Sequence, residues 1–313
     1  MKQKNYLLAL LFLICISSLQ SQTYTKSIDG TMDNDLFAFG KTDRYYTNGI
    51  FFNYSYLPKK KSDKYVKVIN QLELGQTMYY AFQRRIYDAS EIDRPLAGYL
   101  YLKYNKTHFN NKNEILKYGV SVGAIGDASL AKDFQLWAHR AVFNINSTFW
   151  GWLWDFQVKT EYGINFNIEH TSTDYEKNKI ALKKKFYATV GNTFTNIKAE
   201  YIFQYGKFNR NEESAFYNAR IGSDNVKDEL FFYVSPGITY QGYNATVQGG
   251  LFVKDKGPVV DDIKRIIPEI KAGIFYAKKR FVVQYGYVFM GREAQKQINT
   301  HKYGTVKLGY LIK

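Results

Sequence analysis

Few side chains in this sequence can do chemistry, and they fall in two clusters. The first is Asp33-Asn34-Asp35-Leu36-Phe37, followed by Thr42-Asp43-Arg44-Tyr45-Tyr46-Thr47-Asn48-Gly49. It sits between two alternating, aromatic-rich segments, so carboxylates, amides and a hydroxyl meet at a strand-turn-strand tip, where function concentrates. The second runs from Gly126 through Asp127, Ser129, Lys132 and Gln135 to His139. Of four histidines, His108 and His301 read as residues of polar loops and His170 as a strand end. His139 differs, because it follows Gln135 by one helical turn and both project from one face, with Lys132 less than a turn away. The plainer reading of His139 is a polar residue closing an amphipathic helix. No G-x-S-x-G elbow, paired cysteine ligands, H-E-x-x-H or phosphate-cradling glycine loop occurs, and Ser129 and Ser147 carry no nucleophile motif. Asp35 and Asn34 offer hard oxygen ligands, Thr47 a hydroxyl and His139 a base. That set fits metal-assisted hydrolysis, in which a cation on Asp35 polarises an ester carbonyl while His139 deprotonates water.

The elements that must position these groups alternate with period two. From 156 to 168, Phe156, Val158, Tyr162, Ile164, Phe166 and Ile168 share one face while Gln157, Lys159, Glu161, Asn165 and Asn167 share the other, which suits lipid on one side and water on the other. The segments 197–205 and 281–289 repeat this. Further candidate strands are 26–38, 45–57, 66–80, 96–105, 115–125, 183–191, 229–241, 244–254, 268–277 and 302–312. That makes thirteen, whereas a closed bacterial barrel wants an even number. The suspects are 183–191 and the pair 229–241 with 244–254, which reads equally as one bent strand. Residues 128–143 break the alternation: Leu130, Phe134, Trp137, Ala138 and Ala141 have helical spacing, with Asp127 or Ser129 as N-cap. The expected fold is therefore all-β, a transmembrane antiparallel β-barrel with a short amphipathic helix in an extracellular loop.

Composition supports an exported barrel. Aromatic residues make up 18% of the chain, with 28 Tyr and 23 Phe, yet the mean hydropathy is −0.38. Residues 1–21 begin with Lys2 and Lys4, run apolar from Tyr6 to Ile16 and end in Ser17, Ser18 and Ser21. They read as a signal peptide cleaved after Ser21, too short for a span of about 20 residues. Residues 22–313 then form one domain, with no linker dividing it. The single cysteine, Cys15, lies in the signal, where Leu13 and Ile14 fail the small-residue requirement for lipidation. The net charge of +15 sits largely at expected turns such as Lys59-Lys60-Lys61 and Lys183-Lys184-Lys185. It reads chiefly as solvated turns and secondarily as attraction to a phosphorylated lipid surface, and no nucleic-acid partner is expected.

The blocks Asn34-Asp35-Leu36-Phe37, Asp43-Arg44-Tyr45-Tyr46-Thr47-Asn48-Gly49, Gln76 with Tyr79, Asp93-Arg94-Pro95-Leu96-Ala97-Gly98, Gly123-Ala124-Ile125-Gly126 leading into Gln135 and His139, and Gly151-Trp152 resemble, in order, the LpxR family of outer-membrane lipid A 3′-O-deacylases. The resemblance implies a barrel of about 12 strands with its site at the outer mouth, between the wall and the loop helix. It also implies calcium-dependent removal of the 3′-linked acyloxyacyl chain from lipid A of lipopolysaccharide, at the outer membrane and facing the cell exterior. By position, Asn34, Asp35, Thr47, Gln135 and His139 match the family's functional residues, with histidine activating water and calcium stabilising the oxyanion; Asp35 is the matched metal ligand. Arg84 or Arg85 fills the place of a basic residue, and with Lys132 they are the candidate substrate-binding cations. The protein is expected to be a monomer. One departure stands out: the family's functional glutamate falls at Ile145, for which Asn144, Asn146, Asp155 (on the lumen-facing side of its strand) or Glu161 could substitute.

Two other classes compete. A non-catalytic barrel, a pore or a surface-binding protein, requires only the alternation, and a pore needs an open lumen. A soluble carbohydrate-binding sandwich would leave the membrane without detergent.

Overall fold

The computed structural model describes residues 23–38, 45–82, 86, 88–143, 148–223 and 226–313. Twelve antiparallel strands close into a barrel: β1 (Lys26–Asn34), β2 (Tyr45–Tyr56), β3 (Lys67–Tyr80), β4 (Ala97–Phe109), β5 (Ile115–Ile125), β6 (Glu161–Lys177), β7 (Ile180–Gly191), β8 (Phe194–Lys207), β9 (Glu229–Asn244), β10 (Ile266–Lys278), β11 (Phe281–Met290) and β12 (His301–Ile312). Each strand pairs with its chain neighbours, and β1 pairs β12 from Lys26↔Ile312 to Asn34↔Gly304. Closure leaves no sheet edge, which is what a strand-built membrane span requires. The start of β1 and the end of β12 lie at one rim, called here the terminal end. The opposite rim carries α1 (Ala131–Phe143) and α2 (Thr148–Leu153) and is the helical end, to which α3 (Ala245–Gln248) also belongs. Among the described residues no helix is long and apolar enough to cross a membrane.

The period-two pattern sorts the side chains. Ile28, Met32, Phe52, Leu74, Leu102, Phe166, Ile197 and Leu308 are exposed on the outward face. The inward face pairs charges: Lys185 Nζ lies 2.8 Å from Glu200 and Lys198 Nζ 2.5 Å from Glu269. A chamber of about 290 Å³ remains in the lumen, with Glu73, Lys117, Glu169 and Lys271 among its walls. It is closed on the terminal side by 208–228, whose Phe216 ring packs against Phe231, Tyr233 and Phe275. Toward the helical end Tyr46 packs against both Tyr79 and Tyr303.

The expected strands are corrected at three places. The segment 183–191 is a true strand, β7. The segment 244–254 is not: β9 ends at Asn244, whose side chain accepts from Thr246 N and caps α3. The reading of 156–168 begins too early, because Trp154–Phe156 is a 3₁₀ turn and β6 starts at Glu161. Ahead of it, Gln157 bridges Leu96 and Val158 N donates to Leu96 O. The expected helix 128–143 is a 3₁₀ turn, Gly126–Ser129, then Leu130 at φ 57°, then α1. The histidines also move. His170 lies within β6, His108 near the end of β4 against the Tyr65 and Tyr118 rings, and His301, wholly buried, opens β12.

Candidate functional site

Two connections at the helical end fold outward onto the barrel wall instead of over its mouth. After β1 the chain makes a 3₁₀ turn, Asp35–Ala38, started by Asn34 Oδ1 accepting from Leu36 N at 2.8 Å. Such an Asx bond is the usual way a short polar side chain opens a turn. The turn lies on β12 and β11: Tyr285 OH donates to Phe37 O at 2.8 Å, and a Cβ at Gly304 would come within 2.8 Å of the Phe37 backbone. On the other side α1 lies on β3 and β4. Gln76 Nε2 donates to Ser129 O at 2.6 Å, and a Cβ on Gly98 would collide with Ser129 Oγ and Ala131 Cβ. Glycine at 98 and 304 is thus what lets each flap reach the wall. The helical flap has its own core, in which the outward-facing Met78 and Tyr80 are buried with Ala131, Leu153 and Trp154. Between the flaps is a cleft floored by the tops of β1, β2 and β3.

On that floor Asn34 is paired with Asn48, Met32 with Ile50, and Ile50 with Gln76, all on the outward face. Thr47 is the extra residue of a β-bulge, since the β2–β3 register slips between Tyr46 and Asn48. Bulges recur beside functional sites because they re-aim one side chain. Asp35 and Thr47 are both buried, and as chain neighbours of the paired Asn34 and Asn48 they are brought with Asn34 to one corner. Gln135 and His139 lie a turn apart on α1, which packs chiefly on β3 and β4. At about 100° per residue, Phe134 and Trp137 share one side of this helix, and Lys132, Gln135 and His139 share another. Gln135 is buried and accepts from Trp154 Nε1 at 2.5 Å. Lys132 pairs with Asp155 at 2.8 Å in an exposed bridge. Asp155 therefore lies in the 3₁₀ turn after α2, neither on a strand nor facing the lumen. Glu161 is also committed elsewhere: its carboxylate accepts from the backbone N–H groups of Leu251, Phe252 and Val253 and from Asn192. Arg84, Arg85, Asn144, Ile145 and Asn146 lie outside the described residues.

Sequence reasoning placed Asn48 in a motif but gave it no role. Its Oδ1 is buried with no hydrogen-bond partner among the described residues, directly across the ladder from Asn34. The signal was available, because on an outward strand face an asparagine has no reason to exist unless something polar comes to it. No three His, Cys, Asp or Glu side chains gather to hold a metal among the described residues. The corner nonetheless offers only oxygen: one buried carboxylate, one hydroxyl and one orphaned amide oxygen. That donor set fits a hard cation such as Ca²⁺, bound with little ligand charge.

Asp93 and Arg94 support the site from within. Asp93 accepts from Tyr45 OH at 2.5 Å, Phe82 N at 2.9 Å and Ile298 N at 3.0 Å. Arg94, wholly buried, stacks on Tyr79 and reaches Glu293 at 3.1 Å, while His301 Nε2 lies 3.3 Å from the same carboxylate. His301 Nδ1 accepts from Tyr46 N, one residue before the bulge. Burial alone would raise the Glu293 carboxyl, but the Arg94 guanidinium and His301 hold it down at about 2.

Beneath the helical flap an apolar groove of about 480 Å³ opens on the outward wall, bounded by Ile50, Phe52, Leu74, Leu100, Phe134 and Trp137. Polar oxygens at its upper edge and hydrocarbon below suit an ester with its acyl chain.

A family model described as outer membrane protein LpxR matches residues 7–312. Among solved structures, LpxR from Salmonella typhimurium superposes with a TM-score of 0.71 at 17% identity, covering 91% of this chain and 100% of that one. The β domain of the Bordetella autotransporter BrkA superposes with a TM-score of 0.50 at 9% identity, covering 92% and 99%. At these identities the superpositions show the barrel fold alone. No curated protein matches by sequence.

Proposed function

The chain belongs to the LpxR family of outer-membrane proteins, and from that membership and the outward-facing cleft we propose that it is a lipid A deacylase. The substrate is the 3′-linked acyloxyacyl ester, taken at the outer surface of the membrane by a monomeric barrel. The observation that carries this reading is the cleft itself, where the orphaned Asn48 oxygen stands one outward position above Ile50, a wall of the apolar groove on the lipid-facing side. A lipid reaches such a site from the leaflet without leaving hydrocarbon. A water-soluble substrate gains nothing from the groove.

His139 takes the proton from the attacking water. Gln135, fixed by Trp154 one turn earlier, orients the imidazole's side of the helix. Asp35, with Thr47 and Asn48, would hold Ca²⁺, which when bound supplies positive charge to the ester oxygen as negative charge develops there. Lys132, with Arg84 and Arg85, attracts the phosphorylated sugar. Mass spectrometry of lipid A from cells with and without the protein is the test: loss of one acyloxyacyl unit is expected, and identical lipid A in both would remove the hydrolase reading. A pore finds no support, since 208–228 fills one end of the lumen.

A further inference from the structure

The groove beneath the helical flap does not end there. A second depression, of about 730 Å³, continues it down the outward wall, and the two share Phe52 and Leu74 as common walls. Its floor is Gly30. In the barrel ladder Gly30 lies between Phe52 on β2 and Leu308 on β12, and it has no side chain to fill the space between them. A Cβ there would meet only the Phe52 ring, at 3.9 Å. On β6 and β8 the same face is filled by exposed Phe166, Ile197, Tyr201 and Phe203.

The trench is bounded. Its upper end is Trp137 and Phe134 on α1. At its lower end the Phe281 and Tyr310 rings stand 5.1 Å apart. Arg280 holds that end in place, donating to Tyr310 OH at 3.2 Å and to Tyr24 OH at 2.9 Å. From Ile50 to Tyr54 along β2 is four residues, or roughly 14 Å at the usual strand rise. That is the scale of a medium saturated acyl chain, and a trench that starts at a polar corner and is closed at its lower end measures length.

We propose that one acyl chain of the lipid held at the cleft lies in this trench over Gly30, and that the trench selects substrates by the length of that chain. The occupant is a chain of the substrate and not of a bulk phospholipid, because the trench opens upward onto the polar corner of Asn34, Asn48 and Gln76, where an ester is solvated. The proposal rests on the hydrolase reading for the identity of the lipid, and its test separates the two.

The full barrel in detergent is given a lipid A whose 3′ secondary acyl chain ends in a diazirine, and the photo-labelled peptides are identified by mass spectrometry. Labelling concentrated on the peptides carrying Gly30 and Leu308 is expected. In the Gly30→Leu variant, whose added side chain has room in the wall, that labelling should fall and the kcat/KM ratio of long-chain to short-chain esters should drop about tenfold, the scale of a few misplaced methylenes. Labelling spread evenly round the wall, including Phe166 and Ile197, would overturn the trench. So would trench labelling unchanged by Gly30→Leu. Trench labelling by a wild-type protein that releases no fatty acid would support the seat and defeat the hydrolase instead.

Discussion

The two ends of this barrel treat their long connections in opposite ways. At the helical end the segments after β1 and β5 fold outward, pressing Phe37 on Gly304 and Ser129 on Gly98. At the terminal end the longest connection, 208–228, folds inward. There Lys67 Nζ donates to Glu212 O, Ala219 O and Ser223 Oγ, and Glu229 accepts from Asn209 N, Ser214 Oγ and Ala215 N. The inward connection is tied to the barrel by these bonds, although Glu212 Oε2, Tyr217 OH and Arg220 Nε stay buried without a hydrogen-bond partner among the described residues. The outward ones leave Asn48 Oδ1 orphaned beside an apolar groove. One connection fills one end of the lumen; the others leave a polar corner beside a groove that is open to lipid.

If that contrast is correct, the largest effect belongs to the helical end. His139→Ala should slow ester hydrolysis about 10²- to 10⁴-fold in a barrel that still shifts on heating in gel electrophoresis. Asp35→Asn should be comparably harmful, and the double variant no worse than the worse single, because both groups serve one transition state. Next is Glu293→Gln, which leaves the buried Arg94 without its partner and should cost about 3–5 kcal/mol of stability. The wild-type pair has a pH signature. The folded value of about 2 lies below the ordinary ~4.3 of a glutamate, so its contribution is full above ~4.3 and is lost as pH falls towards 2. Denaturant melts between pH 5 and pH 2 should show that loss in the wild type and a flatter profile in Glu293→Gln.

Gly98→Val should lift α1 from the wall. Displacement of a catalytic group by about 1 Å costs on the order of 10²-fold, so activity should fall by that scale while circular dichroism of the strands is unchanged. At the terminal end the readout changes. Phe216→Ala should cost about 2 kcal/mol, below the full range for a buried phenylalanine because this ring is only partly covered. Hydrolysis should be unaltered, and small-ion conductance in planar bilayers should rise. The smallest effect is at Lys132. Its bridge to Asp155 is exposed, so Lys132→Ala should change stability by under about 1 kcal/mol. A rise in KM without a fall in kcat would mark Lys132 as a phosphate contact; no change in either would remove it from the site.

The alternation on β1, β2, β3, β5, β10, β11 and β12 was readable because each strand's two faces meet two different solvents, and a period of two survives any detail of packing. The clustering of Asn34, Asp35 and Thr47 was readable for a related reason: polar residues at a tip have no packing role to explain them. His301 was misread as a loop residue, since its burial depends on Arg94 arriving from the β3–β4 connection to meet Glu293 beside it. The reading of 244–254 as a strand failed similarly. Glu161, about ninety positions earlier, gathers the amides of 251–253 and overrides a local pattern that looks extended.

What the sequence by itself determined is the barrel, its two-faced wall, the loop helix and the residue types of the candidate site, because these follow from short-range periodicity and chemistry. What only the tertiary structure decided is direction. That one set of connections turns outward and another inward depends on where glycines let backbone approach the wall. It depends too on which buried charges find partners across the barrel, and those are contacts between residues far apart in the chain. The bulge at Thr47, the orphaned oxygen of Asn48 and the trench over Gly30 belong to that second kind, since each exists only in the register of neighbouring strands.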